Sequence, residues 1–163
     1  MVNNGNTIFQ QRSHSYIHVD FNRSWVEYEE GFGNLDGNYW LGLKKMYYLA
    51  STRPSSERSF YVSVNEEMRQ YPEFTMDDQS TSYTITISAD GGWNNGLNDI
   101  MAGSSGKRFS TYDSGDNVCA TALGGGWWFE GTASCAPCYP NAPLTVQCID
   151  VDVMYTSVWL FYP

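Results

Sequence analysis

The sequence predicts a loop-rich α+β or mostly β fold rather than a helical bundle, and three features carry that prediction. Gly, Ser, Thr and Asn are common while strong helix formers are scarce. Aromatic residues make up 16% of the 163-residue chain, with six Trp and twelve Tyr available as large anchors held by loops. Two stretches, "RSFYVSVNE" and "SYTITIS", alternate apolar and polar residues with the period of a half-buried antiparallel strand. A chain of this length is expected to be one domain, residues 1–163, long enough to bury a core.

Taken in order, residues 8–19, "IFQQRSHSYIHV", predict one or two short strands with a polar turn. His14 and His18 stand four apart, which is metal-ligand spacing on a helix. Their aromatic and β-branched neighbours favour strand, so both read as ordinary polar positions. "NRSWVEYEEGFG" has a cap residue, Asn22 or Ser24, then acidic residues and a stop at Gly31, the signals of a short helix. "LDGNYWLGLKKMYYLAS" places Leu43, Met46, Tyr47 and Ala50 on one helical face. In the first alternating stretch Phe60, Val62 and Val64 face one side, with Tyr61, Ser63 and Asn65 on the other; Tyr83, Ile85 and Ile87 repeat the pattern. "EFTMDDQ" between them predicts a shorter strand, and "MYTSVWLFYP" a last one. From "ADGGWNNG" onward periodicity fades, so residues 89–148 are expected to be irregular, held by aromatic anchors and disulfides. Structureless segments longer than about 15 residues are usually functional or disordered. One that holds Trp93, Trp127, Trp128 and four Cys is not of the disordered kind, so the site is expected there.

A net charge of −9 argues against a nucleic-acid partner, because phosphate binding needs clustered Lys and Arg. It would also repel an anionic membrane surface. No apolar run approaches the ~20 residues that span a bilayer, so no membrane insertion is expected. "MVNNGNTIFQQ" has neither the basic nor the apolar region of a signal peptide, which predicts a cytosolic protein or a fragment of a longer one. Cys119, Cys135, Cys138 and Cys148 read as local disulfide stapling, with three pairings open. "CAPC" at 135–138 also has the spacing of a dithiol site, but Pro140 and Pro143 leave no room for the helix such a site needs. A four-thiolate zinc site has the right ligand count but lacks a second Cys-x-x-Cys pair. Asn22-Arg23-Ser24 fits the N-glycosylation pattern. No nucleophile–base arrangement or phosphate-cradling glycine loop stands out, and no enzyme is expected.

Phe21, Arg23, Trp25, Tyr28, Gly31-Phe32-Gly33, Leu35, Gly37 and Trp40-Leu41-Gly42-Leu43 keep the register F-x-R-x-W-x-x-Y-x-x-G-F-G-x-L-x-G-x-x-W-L-G-L. This resembles the core of the fibrinogen C-terminal-like domain. "KRFSTYD", then "CA", then "GGGWWF" is similar to the family's second signature in the same order, and "IFQQR" and "VWLFYP" lie where its first and last strands do. The resemblance covers nearly the whole chain. It implies an α+β fold with short helices packed on a twisted, mainly antiparallel sheet and a long irregular, disulfide-stapled C-terminal region. The chain departs from the family in lacking the amino-terminal part with its first disulfide pair, in a shorter acidic loop, and in the altered "WWFEGTASCAPCYPNAP".

The resemblance implies a calcium site on "FSTYDSGDNVCA", residues 109–120, with Asp113, Asp116 and Asn117 as ligands and Ser114 giving a hydroxyl or a water. Calcium takes six to eight oxygens, and two carboxylates on a short turn suit a weak site of ~10⁻⁴–10⁻³ M, adequate at extracellular levels. It is not an EF-hand, because Gly124 stands where that loop needs a bidentate Glu. The alternative is an Asx-turn built by Asp113 or Asn117 with no metal. The implied ligand pocket comprises Val118, Cys119, Trp128 and Tyr139: an aromatic wall for an acetyl methyl and fixed donors for its carbonyl. The family's His after the second loop cysteine has no counterpart, since Ala136 follows Cys135 and Tyr139 follows Cys138. By resemblance Cys119 pairs with Cys135 and Cys138 with Cys148, the alternative being Cys119 with Cys138. The implied function is a secreted, extracellular, non-enzymatic module. It would bind carbohydrate or acetylated groups in innate immune recognition and multimerise through upstream segments absent from this chain. An alternative is a protein–protein adhesion or receptor-binding signalling module of the angiopoietin and tenascin type, its partner a receptor or matrix protein. A third reading is a thiol oxidoreductase using Cys135 and Cys138.

Overall fold

The last strand of the chain organises the sheet. The computed structural model describes residues 2–3, 6–13, 17–52, 54–88, 90–101, 103–115, 117–129, 131, 135, 139–141, 147–148, 151–152 and 155–161. The strands are β1 (Val2–Asn3), β2 (Asn6–Ser13), β3 (Phe32–Gly33), β4 (Tyr39–Trp40), β5 (Ser59–Val64), β6 (Glu67–Pro72), β7 (Thr75–Met76), β8 (Ile85–Thr86), β9 (Gln147–Cys148), β10 (Val151–Asp152) and β11 (Tyr155–Phe161). The α-helices are α1 (Trp25–Glu30), α2 (Leu43–Ser51) and α3 (Asn117–Leu123). β11 lies antiparallel between β2 and β5, so strands from the two ends of the sequence are neighbours. The sheet runs β3-β4-β2-β11-β5-β6 with β1 paired to β2. A register shift between Val158 and Trp159 bends β11 against β2 as a bulge does. β7–β8 and β9–β10 are separate antiparallel ribbons. Short helices on a mainly antiparallel sheet are what the sequence predicts.

Local chemistry explains the helices. Ser24 and Glu27 form a reciprocal capping box that starts α1, and Gly31 ends it at φ 94°. A Cβ at Gly31 would stand 2.4 Å from the Leu41 carbonyl oxygen, so the turn into β3 admits only glycine. α2 packs beside α1 and β7 and buries Leu43, Met46 and Ala50 in the core, while Tyr47 is half-buried. In the same core Phe60 stacks on Phe74 at 4.7 Å and Phe9 meets both rings. A second aromatic cluster surrounds Trp40, whose ring lies 5.3 Å from Tyr28, 5.8 Å from Phe109 and 6.2 Å from Trp128. The Tyr28 hydroxyl donates to the Phe21 carbonyl at 2.7 Å and accepts from the Gly126 N–H at 2.9 Å, binding the amino-terminal half to the later region.

One strand was unforeseen and three expectations are corrected. β6 was not expected; it follows β5 through a tight turn at Asn65–Glu66 in which Asn65 takes φ 55°. In "SYTITIS" only Ile85–Thr86 joins a ladder, although Tyr83, Ile85 and Ile87 are all buried as the alternation requires. The strand over 8–19 is β2, ending at Ser13; His18 is exposed on irregular chain, and His14 lies outside the described residues. The stretch 89–148 is not irregular throughout, because it contains α3 and β9. Its early part runs along the edge of β6: the Gln70 N–H donates to the Trp93 carbonyl at 2.8 Å and the Asn95 N–H to the Met68 carbonyl at 3.2 Å. Among the described residues no helix is long and apolar enough to cross a membrane.

Candidate functional site

The acidic turn is anchored at both ends. Ser110 and Trp127 exchange two backbone hydrogen bonds, of 3.0 and 3.1 Å, and Thr111 and Ser114 exchange two more. The tip of the turn is fixed by Asp113, whose Oδ1 accepts from Thr111 Oγ1 at 2.7 Å and from the Trp25 N–H at 2.8 Å. Trp25 is the first residue of α1, so the carboxylate sits at the positive end of that helix. Beyond the turn the chain enters α3, which carries the buried Cys119 to its bond with Cys135. Closing a loop of this length stabilises by about 3 kcal/mol in the chain-entropy model.

The expected site residues are divided by this arrangement. Asp113 is exposed on the turn; Asp116 and the Asn117 side chain lie outside the described residues, with the Asn117 backbone opening α3. Val118 is exposed and Cys119 buried beside it. Trp128 is fully buried and its Nε1 donates to the Tyr83 carbonyl at 2.7 Å. Tyr139 is buried beneath the same surface, donating to the Leu123 carbonyl at 2.9 Å, and its burial pushes the phenol above its ordinary value. Of the four, Val118 alone is at the surface, while Cys119, Trp128 and Tyr139 are buried. The Cys119–Cys135 bond agrees with the resemblance and takes Cys135 out of a resting Cys-x-x-Cys pair, which removes the thiol oxidoreductase reading. The expected Cys138–Cys148 bridge lies outside the described residues. Asn22 is exposed ahead of α1, where a glycan would meet solvent.

Beside the disulfide opens a cavity of about 390 Å³, lined by Ser82, Lys107, Arg108, Ser110 and Phe129 together with Cys119. That volume falls in the range of small-ligand pockets. One wall is strained: Ser82 and Tyr83 both take left-handed backbone conformations, at φ 57° and 52°. Such residues cost on the order of 1 kcal/mol or more each and persist only where surroundings over-determine them. Here the Phe109 N–H donates to the Ser82 carbonyl at 2.9 Å, Trp128 holds the Tyr83 carbonyl, and the Tyr83 hydroxyl donates to buried Glu29 at 2.8 Å. The core tryptophan therefore shapes the cavity without lining it. Sequence reasoning missed Ser82, Lys107, Arg108 and Phe129. The adjacent pair "KR" in a chain of 9 Lys and Arg against 18 Asp and Glu was the signal that pointed there.

Comparison with known proteins places these features in a family. The model of the fibrinogen beta and gamma chains, C-terminal globular domain, matches residues 1–147. Human angiopoietin-related protein 2 is 31% identical over 137 residues, covering 77% of this chain and 26% of its own length. Tenascin-R of Rattus norvegicus is 31% identical over 129 residues, covering 76% of this chain and 9% of its own. The chain thus spans about a quarter or less of the curated relatives it matches. The solved fibrinogen-like globe domain of human ANGPTL2 superposes with a TM-score of 0.77 at 25% identity, covering 98% of this chain and 81% of that one.

Proposed function

Because the protein belongs to the family of the C-terminal globular domain of the fibrinogen beta and gamma chains, we propose that it is a secreted, extracellular, non-enzymatic module that recognises a receptor or matrix protein. The observation that carries this reading is the kind of relative found. Angiopoietin-related protein 2 and tenascin-R belong to the branches to which the resemblance attaches protein–protein adhesion and signalling. The surface supports it: Val26, Tyr112 and Val118 are 63%, 43% and 52% exposed, in the segments joined by the Asp113–Trp25 hydrogen bond and the start of α3. Exposed apolar side chains grouped near one loop suit a protein partner.

The lectin-like reading, binding carbohydrate or acetylated groups in innate immunity, draws less support. Two of its four pocket residues, Trp128 and Tyr139, are buried with their polar atoms bonded to backbone carbonyls. Calcium would support either surface through Asp113. That carboxylate already shares Oδ1 with two donors, which suits the weak affinity of about 10⁻⁴–10⁻³ M.

The test is surface plasmon resonance of the 163-residue chain against a panel of receptor ectodomains and matrix proteins, beside an acetylated-sugar array with and without chelator. Saturable binding to a protein and none to the array is expected. Array binding displaced by free acetylated sugar would put the lectin reading in its place.

A further inference from the structure

The cavity beside the disulfide runs against the charge of the molecule. The protein has twice as many acidic as basic residues, yet Lys107 and Arg108 both line this space and no carboxylate does among the described residues. Three other cations lie beside carboxylates: Arg23 with Glu27, Lys44 with Glu30, Arg69 with Asp99. Among the described residues Lys107 and Arg108 take part in no such pair, and they are half-buried and exposed respectively. Two adjacent cations that line one cavity, neither ion-paired among the described residues, are complementary to an anion.

The remaining wall narrows the kind of anion. Ser82 and Ser110 bring hydroxyl-bearing residues, and Phe129 with Cys119 gives an apolar side. About 390 Å³ admits one or two side chains of an extended segment. An Arg guanidinium grips a carboxylate through two parallel hydrogen bonds, and charge-assisted bonds are roughly twice as strong as neutral ones. The net charge of −9 opposes approach of an acidic partner from afar, but charges beyond about 8 Å are screened at physiological salt while a contact pair in a cavity is screened much less.

We propose that this cavity binds an acidic side chain, an Asp or Glu carboxylate presented by an extended segment of the protein partner, with Lys107 and Arg108 as the recognition residues. The proposal rests on the protein-recognition reading above and gives that partner its chemistry.

The test is an NMR titration of the 163-residue chain with the blocked peptide acetyl-Gly-Glu-Leu-Gly-amide and its Gln counterpart. The Glu peptide is expected to shift the amide signals of Ser82, Gly106, Lys107 and Gly131, and to bind at least about tenfold more tightly than the Gln peptide. The Lys107→Gln, Arg108→Gln double variant should lose that preference; both positions reach solvent, and unchanged near-ultraviolet circular dichroism confirms its fold. Equal binding of the two peptides, shifts confined to other residues, no shift at millimolar peptide, or a preference that survives the double variant each overturns the proposal. A sulfated disaccharide that displaces the Glu peptide and binds more tightly overturns it in favour of a glycan anion. The peptides report on the cavity even if no protein on the panel binds. If the double variant binds a protein partner as the original protein does, the cavity assignment fails while the recognition reading stands.

Discussion

Asp113 anchors the acidic turn, and one substitution separates that role from the calcium binding proposed for it. Its Oδ1 holds the Trp25 N–H at the start of α1 and the Thr111 hydroxyl within the turn, so it contributes to stability whether or not an ion is bound. A hydrogen bond to a charged group is worth about 1.5–3 kcal/mol when buried, and less on an exposed turn such as this. Asp113→Ala is therefore expected to lower stability by about 1 kcal/mol in the presence of chelator, read from urea unfolding with an unchanged slope. Added calcium should then stabilise the original protein and leave the variant unaffected, because a ligand of the folded state stabilises by mass action. A chelator-independent loss with no calcium effect on either protein would leave Asp113 as the anchor of an Asx-type turn alone.

At the level of elements, legibility followed periodicity. β5 and α2 were readable because Phe60, Val62 and Val64, and Leu43, Met46 and Ala50, are buried at the spacing their geometry demands. β6 was not, since Glu67, Arg69, Gln70 and Pro72 give no apolar alternation. It is placed by its register with β5 and by the segment that covers its outer edge. α3 was hidden because its seven residues offer a buried face of little more than Cys119 and Ala120. In the site, the Cys119–Cys135 bond followed from family resemblance, whereas the cavity did not, because Ser82 and Lys107 are brought together by the pairing of Ile85 with Gly106 and Lys107 and of Ser82 with Phe109. The cover on β6 is open to test. A Cβ at Gly92 would fall 2.1 Å from the Gln70 carbonyl oxygen, so Gly92→Ala must lift the 93–95 segment away. The Gln70 and Asn95 amides, which donate across that seam, should then exchange hydrogen at least about tenfold faster, with the β5–β11 amides unchanged. An exposed edge is also a template for pairing between copies, so the variant should self-associate more readily on concentration. Unaltered exchange at both amides would mean the seam tolerates a side chain that these contacts forbid.

Across the whole molecule, the buried tyrosines couple the fold to alkaline pH. Burial pushes the Tyr28, Tyr71, Tyr83 and Tyr139 phenols above their ordinary value of about 10. For Tyr71 and Tyr83 a carboxylate accepting the phenol proton, Asp99 or Glu29, pushes in the same direction. Each therefore keeps its proton in the folded state after the unfolded state has released it. Their contribution to stability is complete below about pH 10 and is lost as pH rises beyond it. Arg12 works the other way: burial pushes its guanidinium down to about 10, so above that pH the unfolded state holds a proton the folded state is losing. That single proton raises stability with pH, against four that lower it, and the sum is negative. The expected profile is a denaturant midpoint that falls steeply as pH rises through about 10, with the tyrosinate absorbance of these four residues appearing together with unfolding. Tyr71→Phe should reduce the slope above pH 10 by about one proton's worth, roughly 1.4 kcal/mol per pH unit. If all four phenols titrated near 10 while the protein stayed folded, these side chains would have to be reachable by water, and the aromatic interior that joins the sheet to the disulfide-linked surface would be differently packed.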